Sequence, residues 1–253
     1  MKWAGKERIC FDVTDSTNVR AAVAAAEGAA HGTLVTAQAQ TAGRGRRGRS
    51  WSSPAGVNLY FSLLLRPEFA PEKAPMLTLV MALAVLRAVR KECGDLCGIK
   101  WPNDLVIGGR KVCGILTELR LQQMQIEHVI VGVGINVKEQ IFPEETADKA
   151  TCLERETGKK IEKEILLESI LEAFEECYEK FLETEDLSGL KEEYENCLLN
   201  KDAGVRVLDP QGEYEGIARG ITPGGELLVE TTGGQLREVY AGEVSVRGIY
   251  GYV

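Results

Sequence analysis

Fourteen nearly all-apolar residues, Met76 to Val89, constrain this 253-residue chain more than any other stretch. Pro75 opens the run, Arg90 and Lys91 close it, and Gly94 follows. Proline suits the first turn of a helix and cations suit its last. A helix that is apolar on every side must be covered on every side. The run is also shorter than the roughly 20 residues a membrane span requires. A buried helix in a globular domain, with no membrane segment, is therefore expected. A hydrophobic share of 44% with 27% charged residues agrees with a soluble fold.

The segments around this helix alternate. Ile9 to Val13 reads as a strand, and Thr14 to Asn18 supplies capping residues for a helix over Val19 to Glu27, closed by Gly28. Thr33 to Gln38 looks extended, Gly43 to Gly56 looks like a loop, and Val57 to Leu65 like a strand. Three extended runs follow the buried helix: Cys97 to Trp101, Lys111 to Leu119 and Glu127 to Val137. Turn residues Pro102-Asn103-Asp104 and Gly108-Gly109 separate them. Glu154 to Asn200 is acidic and helical, with Ile161, Ile165, Ile170, Phe174, Cys177 and Phe181 on one face and glutamates opposite. After Lys201 short β-like runs alternate with glycine- and proline-rich turns, among them Asp209 to Gly212 and a last run over Glu243 to Val246. The chain thus reads as an α+β domain over residues 1–200 and a small all-β module over 201–253.

Composition narrows the function classes. A net charge of −8 argues against generic nucleic-acid binding, which leans on clustered positive charge. Seven scattered cysteines are an odd number and fit reduced thiols better than a disulfide framework. With no apolar leader in Met1 to Arg8, a cytoplasmic location is expected. Cys93 and Cys97 are the one close pair, and two histidines, His31 and His128, make a zinc site a poor reading.

Against this acidic background stands Gly43-Arg44-Gly45-Arg46-Arg47-Gly48-Arg49-Ser50-Trp51. It contains G-x-G-x-x-G, but no helix opens on the third glycine, so a dinucleotide fingerprint is a poor fit. Four guanidinium groups in six residues repel one another unless anions neutralise them. Guanidinium forks match phosphate oxygens, and glycines let the backbone approach. The loop is expected to order around an anion, with Trp51 offering a flat face to a purine. A second cluster, Lys100-Trp101-Pro102-Asn103-Asp104, precedes Lys111-Val112-Cys113-Gly114-Ile115-Leu116 and Glu118. Gly132, Gly134 and Asn136 then interrupt an apolar strand, often a sign of close approach by a ligand or another backbone.

These four motifs, in this order, resemble the biotin–protein ligases. Ser16-Thr17-Asn18 and Gln40 fall where that family recognises biotin, and the module after Lys201 resembles its SH3-like C-terminal domain. The resemblance implies a mixed-sheet catalytic domain related to class II aminoacyl-tRNA synthetases and lipoate ligases. It implies activation of biotin by ATP, with Mg²⁺, to biotinyl-5′-adenylate, then transfer to a lysine of a biotin carboxyl carrier protein. Lys111, Arg44 and Arg46 would be catalytic. Ser16, Thr17, Asn18, Gln40, Gly43, Gly45, Gly114, Gly132 and Gly134 would join them around biotin. Arg47, Arg49, Trp51, Lys100, Asn103 and Asn136 would face ATP, and Asp104 would hold Mg²⁺.

Two departures stand out. The chain starts about eight residues before its first strand, so the DNA-binding domain of some relatives is not expected, and Ser50 sits where some relatives have another basic residue. Monomer and homodimer stay equally open. Lipoate–protein ligase, and a nucleic-acid-binding module built on the arginine loop, are the alternatives.

Overall fold

The computed structural model describes residues 1–209, 212–241 and 245–248, the side chain of Ser245 excepted. The chain opens with β1 (Arg8–Thr14), α1 (Thr17–Ala26), β2 (Leu34–Gln40), β3 (Leu59–Leu65) and α2 (Leu77–Cys93). Four strands follow: β4 (Cys97–Lys100), β5 (Asp104–Ile107), β6 (Arg110–Gln122) and β7 (Gln125–Ile135). Then come α3 (Leu153–Thr157), α4 (Lys163–Thr184) and α5 (Lys191–Asn196). The last strands are β8 (Gly204–Leu208), β9 (Tyr214–Ile221), β10 (Leu227–Thr231), β11 (Leu236–Val239) and β12 (Ser245–Gly248).

The first seven strands form one sheet in the order β1-β2-β3-β7-β6-β5-β4. The β1–β2 pair is parallel and the other neighbours are antiparallel, so the sheet is mixed. α2 and α4 pack together on one face, and α1 lies over β2, β3 and β7 on the other. Strand β3 is buried along its whole length because both faces are covered. Its Phe61, Leu63 and Leu65 join the main core with α2, whereas Leu64 joins Ala21, Ala25, Val35 and Ile130 beneath α1. Ser62 faces the α1 side, which is where the candidate site lies.

The periodic readings hold for α2, with two refinements nearby. Pro75 sits in a 3₁₀ turn over Pro71–Met76 rather than inside the α-helix. A proline amide has no hydrogen to give an α-helical bond, so the α-helix starts after it. Strand β5 was hidden in the sequence, because four residues between two turn motifs carry too little pattern to register. On α4, Ile165 is 66% exposed, not part of the apolar face expected of it. The buried stripe runs through Leu166, Leu167, Ile170, Phe174, Cys177 and Phe181, which keeps the 3.6-residue period that Ile165 breaks.

One glutamate of the acidic segment is not on a solvated face. Glu175 is buried and accepts hydrogen bonds from the backbone N–H groups of Lys2, Trp3 and Ala4 at 2.6–2.7 Å. Burial alone would raise its pKa, but those donors hold the carboxyl below its ordinary value. It clamps the N-terminal segment to α4.

The second sheet is antiparallel, ordered β11-β10-β9-β8-β12, and forms the small SH3-like domain. Its Val205, Val207, Ala218 and Leu227 belong to the same continuous apolar core as α2. Trp101 reaches across, its Nε1–H donating to the Gly225 carbonyl at 2.9 Å. Pro210 and Gln211 of the expected turn, Glu243 and Val244 of the expected last strand, and residues 249–253 lie outside the described residues. Among the described residues no helix is long and apolar enough to cross a membrane.

Candidate functional site

Where α1 begins, the α1 face of the sheet is bare of apolar cover. Ser62 on β3, Gly132 and Gly134 on β7, and Gly114 and Leu116 on β6 lie side by side there, because Ser62 pairs with Gly132 and Gly114 with Gly134. The arginine loop folds over this patch. It closes through Gly45 N to Arg49 O at 2.7 Å and Trp51 N to Gly43 O at 2.8 Å. Arg47 adopts φ 59°, which completes the short turn Arg46–Gly48.

A cavity of about 50 Å³ remains between loop and sheet. Ser16, Thr17, Asn18, Gln40, Arg44, Gly45, Arg46, Trp51, Asn103, Lys111, Gly114, Gly132 and Gly134 line it. The structure thus brings together thirteen of the residues singled out in the sequence. Ile115, Leu116 and Val133 complete the wall. Gly43 lies just behind it, packed so tightly against Trp51 O and Ser53 Oγ that a Cβ would collide. Arg47 and Arg49 are on the exposed outer side of the loop. Lys100 is buried at the end of β4 and Asp104 starts β5.

Asn136 does not line the cavity. Its Nδ2 donates to the Thr151 carbonyl at 3.0 Å and its Oδ1 faces Asn58 Nδ2 at 3.4 Å. A larger groove of about 540 Å³ opens between the β2–β3 edge and the start of α4. Its Lys163 amine is already engaged by Gln38 Oε1 and the carbonyls of Gly56 and Asn58.

One end of the cavity is a hydrogen-bond network. Thr17 N donates to Gln40 Oε1 at 2.8 Å, and Gln40 Nε2 donates to Ser53 Oγ at 2.9 Å. Ser62 Oγ lies 2.8 Å from Thr17 Oγ1 and 2.6 Å from Asn18 Oδ1. The Asn18 amide nitrogen donates to Glu118 Oε2 at 2.7 Å and to Leu116 O at 3.3 Å. Neither Ser62 nor Glu118 was assigned a site role in the sequence. The sole sign of Ser62 was a small polar residue among the aliphatic and aromatic residues of its strand.

The other end is cationic. Lys111 Nζ pairs with Asp104 Oδ1 at 2.6 Å and lies 5.2 Å from the centre of the Trp51 ring. Arg46 donates to Asn103 Oδ1 at 2.8 Å and to the carbonyl of Ala241, so it ties the loop to both sheets. Burial lowers the Lys100 ammonium to about 8, with Asp104 opposing and Lys111, Arg247 and Arg49 reinforcing the fall.

The glycines serve side chains as well as any ligand. A Cβ on Gly134 would come within 2.5 Å of the Trp51 indole, and one on Gly132 would collide with the Asn18 amide. The indole nitrogen of Trp51 is itself buried without a hydrogen-bond partner. Among the described residues no group of three His, Cys, Asp or Glu side chains could cage a metal. Asp104 is a single carboxylate, which fits Mg²⁺ held chiefly by a substrate's phosphate oxygens.

A polar recess that runs into a cluster of cations suits a neutral head group at one end and acid and phosphate oxygens at the other, the arrangement expected of an acyl-activating nucleotide site. The sequence model of the "Biotin/lipoate A/B protein ligase family" matches residues 10–136, and that of the "Biotin protein ligase C terminal domain" matches 204–247. A "Bifunctional ligase/repressor BirA" of Bacillus subtilis is 38% identical over 244 residues, covering 96% of this chain and 74% of that one. A "Biotin--[acetyl-CoA-carboxylase] ligase" of Paracoccus denitrificans is 34% identical, covering 88% of this chain and 93% of its own. Among solved structures, the biotin protein ligase from Aquifex aeolicus in complex with biotin and ATP superposes with a TM-score of 0.83 at 35% identity. It covers 96% of this chain and 99% of that one. The chain belongs to the biotin/lipoate A/B protein ligase family.

Proposed function

We propose that this protein is a biotin–protein ligase, which activates biotin with ATP and transfers it to a lysine of a biotin carboxyl carrier protein. The observation that carries the reading is the cavity itself, polar at the α1 end and cationic at the Lys111 end. The C-terminal domain match favours biotin over lipoate as the acid. The acidic composition speaks against the nucleic-acid alternative. Residues 1–200 form the catalytic unit and residues 201–253 the appended one.

Ser16, Thr17 and Gln40 hydrogen-bond the ureido head, with Asn18, Gly132 and Gly114 shaping the wall. Arg44, Arg46 and Lys111 receive the biotin carboxylate and the α-phosphate, two anions that repel each other until cations stand between them. The carboxylate oxygen attacks the α-phosphorus and pyrophosphate leaves. The acceptor amine then attacks the mixed anhydride and AMP departs. Arg47, Arg49, Lys100 and Asn103 face the nucleotide, with Trp51 as its stacking face and Gly43 and Gly45 letting the loop close, while Asn136 supports the end of β7 from outside the cavity. Mg²⁺, when bound, would screen the phosphate charge, and Asp104, beside Lys111, would help hold it.

The test is isotope exchange between pyrophosphate and ATP, which must depend on biotin. Exchange dependent on lipoate instead would overturn the reading.

Lys100 supplies a pH dependence. An anion at this site favours the protonated amine, so ATP affinity falls as pH rises through about 8. ATP binding at about pH 8.5 must also take up protons, because the anion restores the amine's charge. Calorimetry in two buffers of different ionisation enthalpy reads that uptake, and Lys100→Met is expected to remove it. Uptake unchanged in the variant would clear Lys100 of the role.

A further inference from the structure

Glu118 is outside the cavity wall, yet it joins the two structures that form it. It sits on β6 opposite Ile130 of β7, on the same face of the sheet as α1. One carboxylate oxygen, Oε2, accepts from Asn18 Nδ2 at 2.7 Å. The other, Oε1, pairs with Arg44 Nη1 at 3.1 Å. The two oxygens therefore hold the first turn of α1 and the arginine loop to one strand. The Asn18 amide has no slack, since Ser62 Oγ lies 2.6 Å from its oxygen and its nitrogen points at Glu118 and Leu116 O. Arg44 is the first arginine of the loop, flanked by Gly43 and Gly45 and paired across the loop with Ser50, and its side chain is 53% exposed, so its direction depends on a partner.

We infer that Glu118 is a positioning residue: it fixes Arg44 at the cavity rim and so closes the front of the arginine loop before the acid arrives. Arg46 makes the corresponding tie at the back, to Asn103 and Ala241. A loop already held in its binding geometry gives up less conformational freedom when the ligand binds. The pair is partly solvated, with side chains 53% and 33% exposed, so its effect is modest, in the range of a surface ion pair. The catalytic contribution rests on the ligase reading above; the mechanical contribution does not.

Glu118→Gln keeps the shape and an acceptor for Asn18 and removes the charge that Arg44 needs. Subtilisin, which requires no arginine, is expected to cut Glu118→Gln between Gly43 and Trp51 about 3- to 5-fold faster than the parent chain. Arg44→Gln should do the same, and the double variant should be cut no faster than either single one. In biotin-dependent pyrophosphate exchange, Glu118→Gln should raise the KM for biotin about 3- to 5-fold with kcat within about twofold. Unchanged cleavage, additive effects in the double variant, or new cuts spread along the whole chain would overturn the strut. If the parent enzyme shows no biotin-dependent exchange, the ligase reading falls, and the cleavage series still decides the role of Glu118.

Discussion

Lys111→Ala is expected to slow adenylate formation by roughly 10²- to 10³-fold while biotin still binds measurably. Lys111 is the cation at the junction of the cavity, 2.6 Å from Asp104 and beside the Trp51 ring. Removing it takes away the positive charge between two reacting anions. It also leaves the Asp104 carboxylate, 14% exposed, to repel the phosphate. The polar end of the cavity, around Thr17 and Gln40, is untouched, so binding of biotin alone should persist. Pyrophosphate exchange measures the first effect and calorimetry with biotin the second. Exchange near the parent rate would rule out Lys111 as the residue that stabilises the transition state.

Arg46→Gly should release the activated intermediate. Arg46 donates to Asn103 Oδ1 and to the Ala241 carbonyl, the loop's ties to the β4–β5 turn and to the C-terminal domain. Glycine removes the guanidinium and adds backbone freedom at the same point. A hydrogen bond from a charged donor contributes about 1.5–3 kcal/mol, so escape should speed up roughly ten- to a hundredfold. Free biotinyl-adenylate is a mixed anhydride and acylates exposed lysines without selection. Incubating the variant with biotin, ATP and albumin, then probing for attached biotin, reads the leak directly. A variant that forms adenylate but labels albumin no more than the parent does would show that Arg46 is not part of the clamp.

Much of the molecule was legible because its signals are local. A nearly all-apolar run of this length belongs in an interior, and α2 is buried along almost all of it. The repulsion among four arginines needs no neighbour to be recognised, nor does the glycine spacing that lets their loop turn back on itself. The alternation of short strands and turns after Lys201 likewise announced a second sheet. What stayed hidden were the pairings. Glu118 meets Asn18 across 100 residues, Arg46 meets Asn103 across 57, and Glu175 meets Lys2 across 173. Ile165 and Leu166 are equally apolar neighbours, and only packing against α2 decided which one is buried.

The physical reason is that a sequence carries the period of a helix or strand but not the face that the fold will cover. A slip of one residue in the pairing of β6 with β7 would turn Glu118 and Gly114 to the opposite side of the sheet. The chain alone therefore determined which groups are available: guanidinium groups on a flexible loop, a lysine and a carboxylate near one turn, glycines within a strand. Tertiary structure decided which of them meet, because register and layer packing, fixed by the whole core, set every distance in the site.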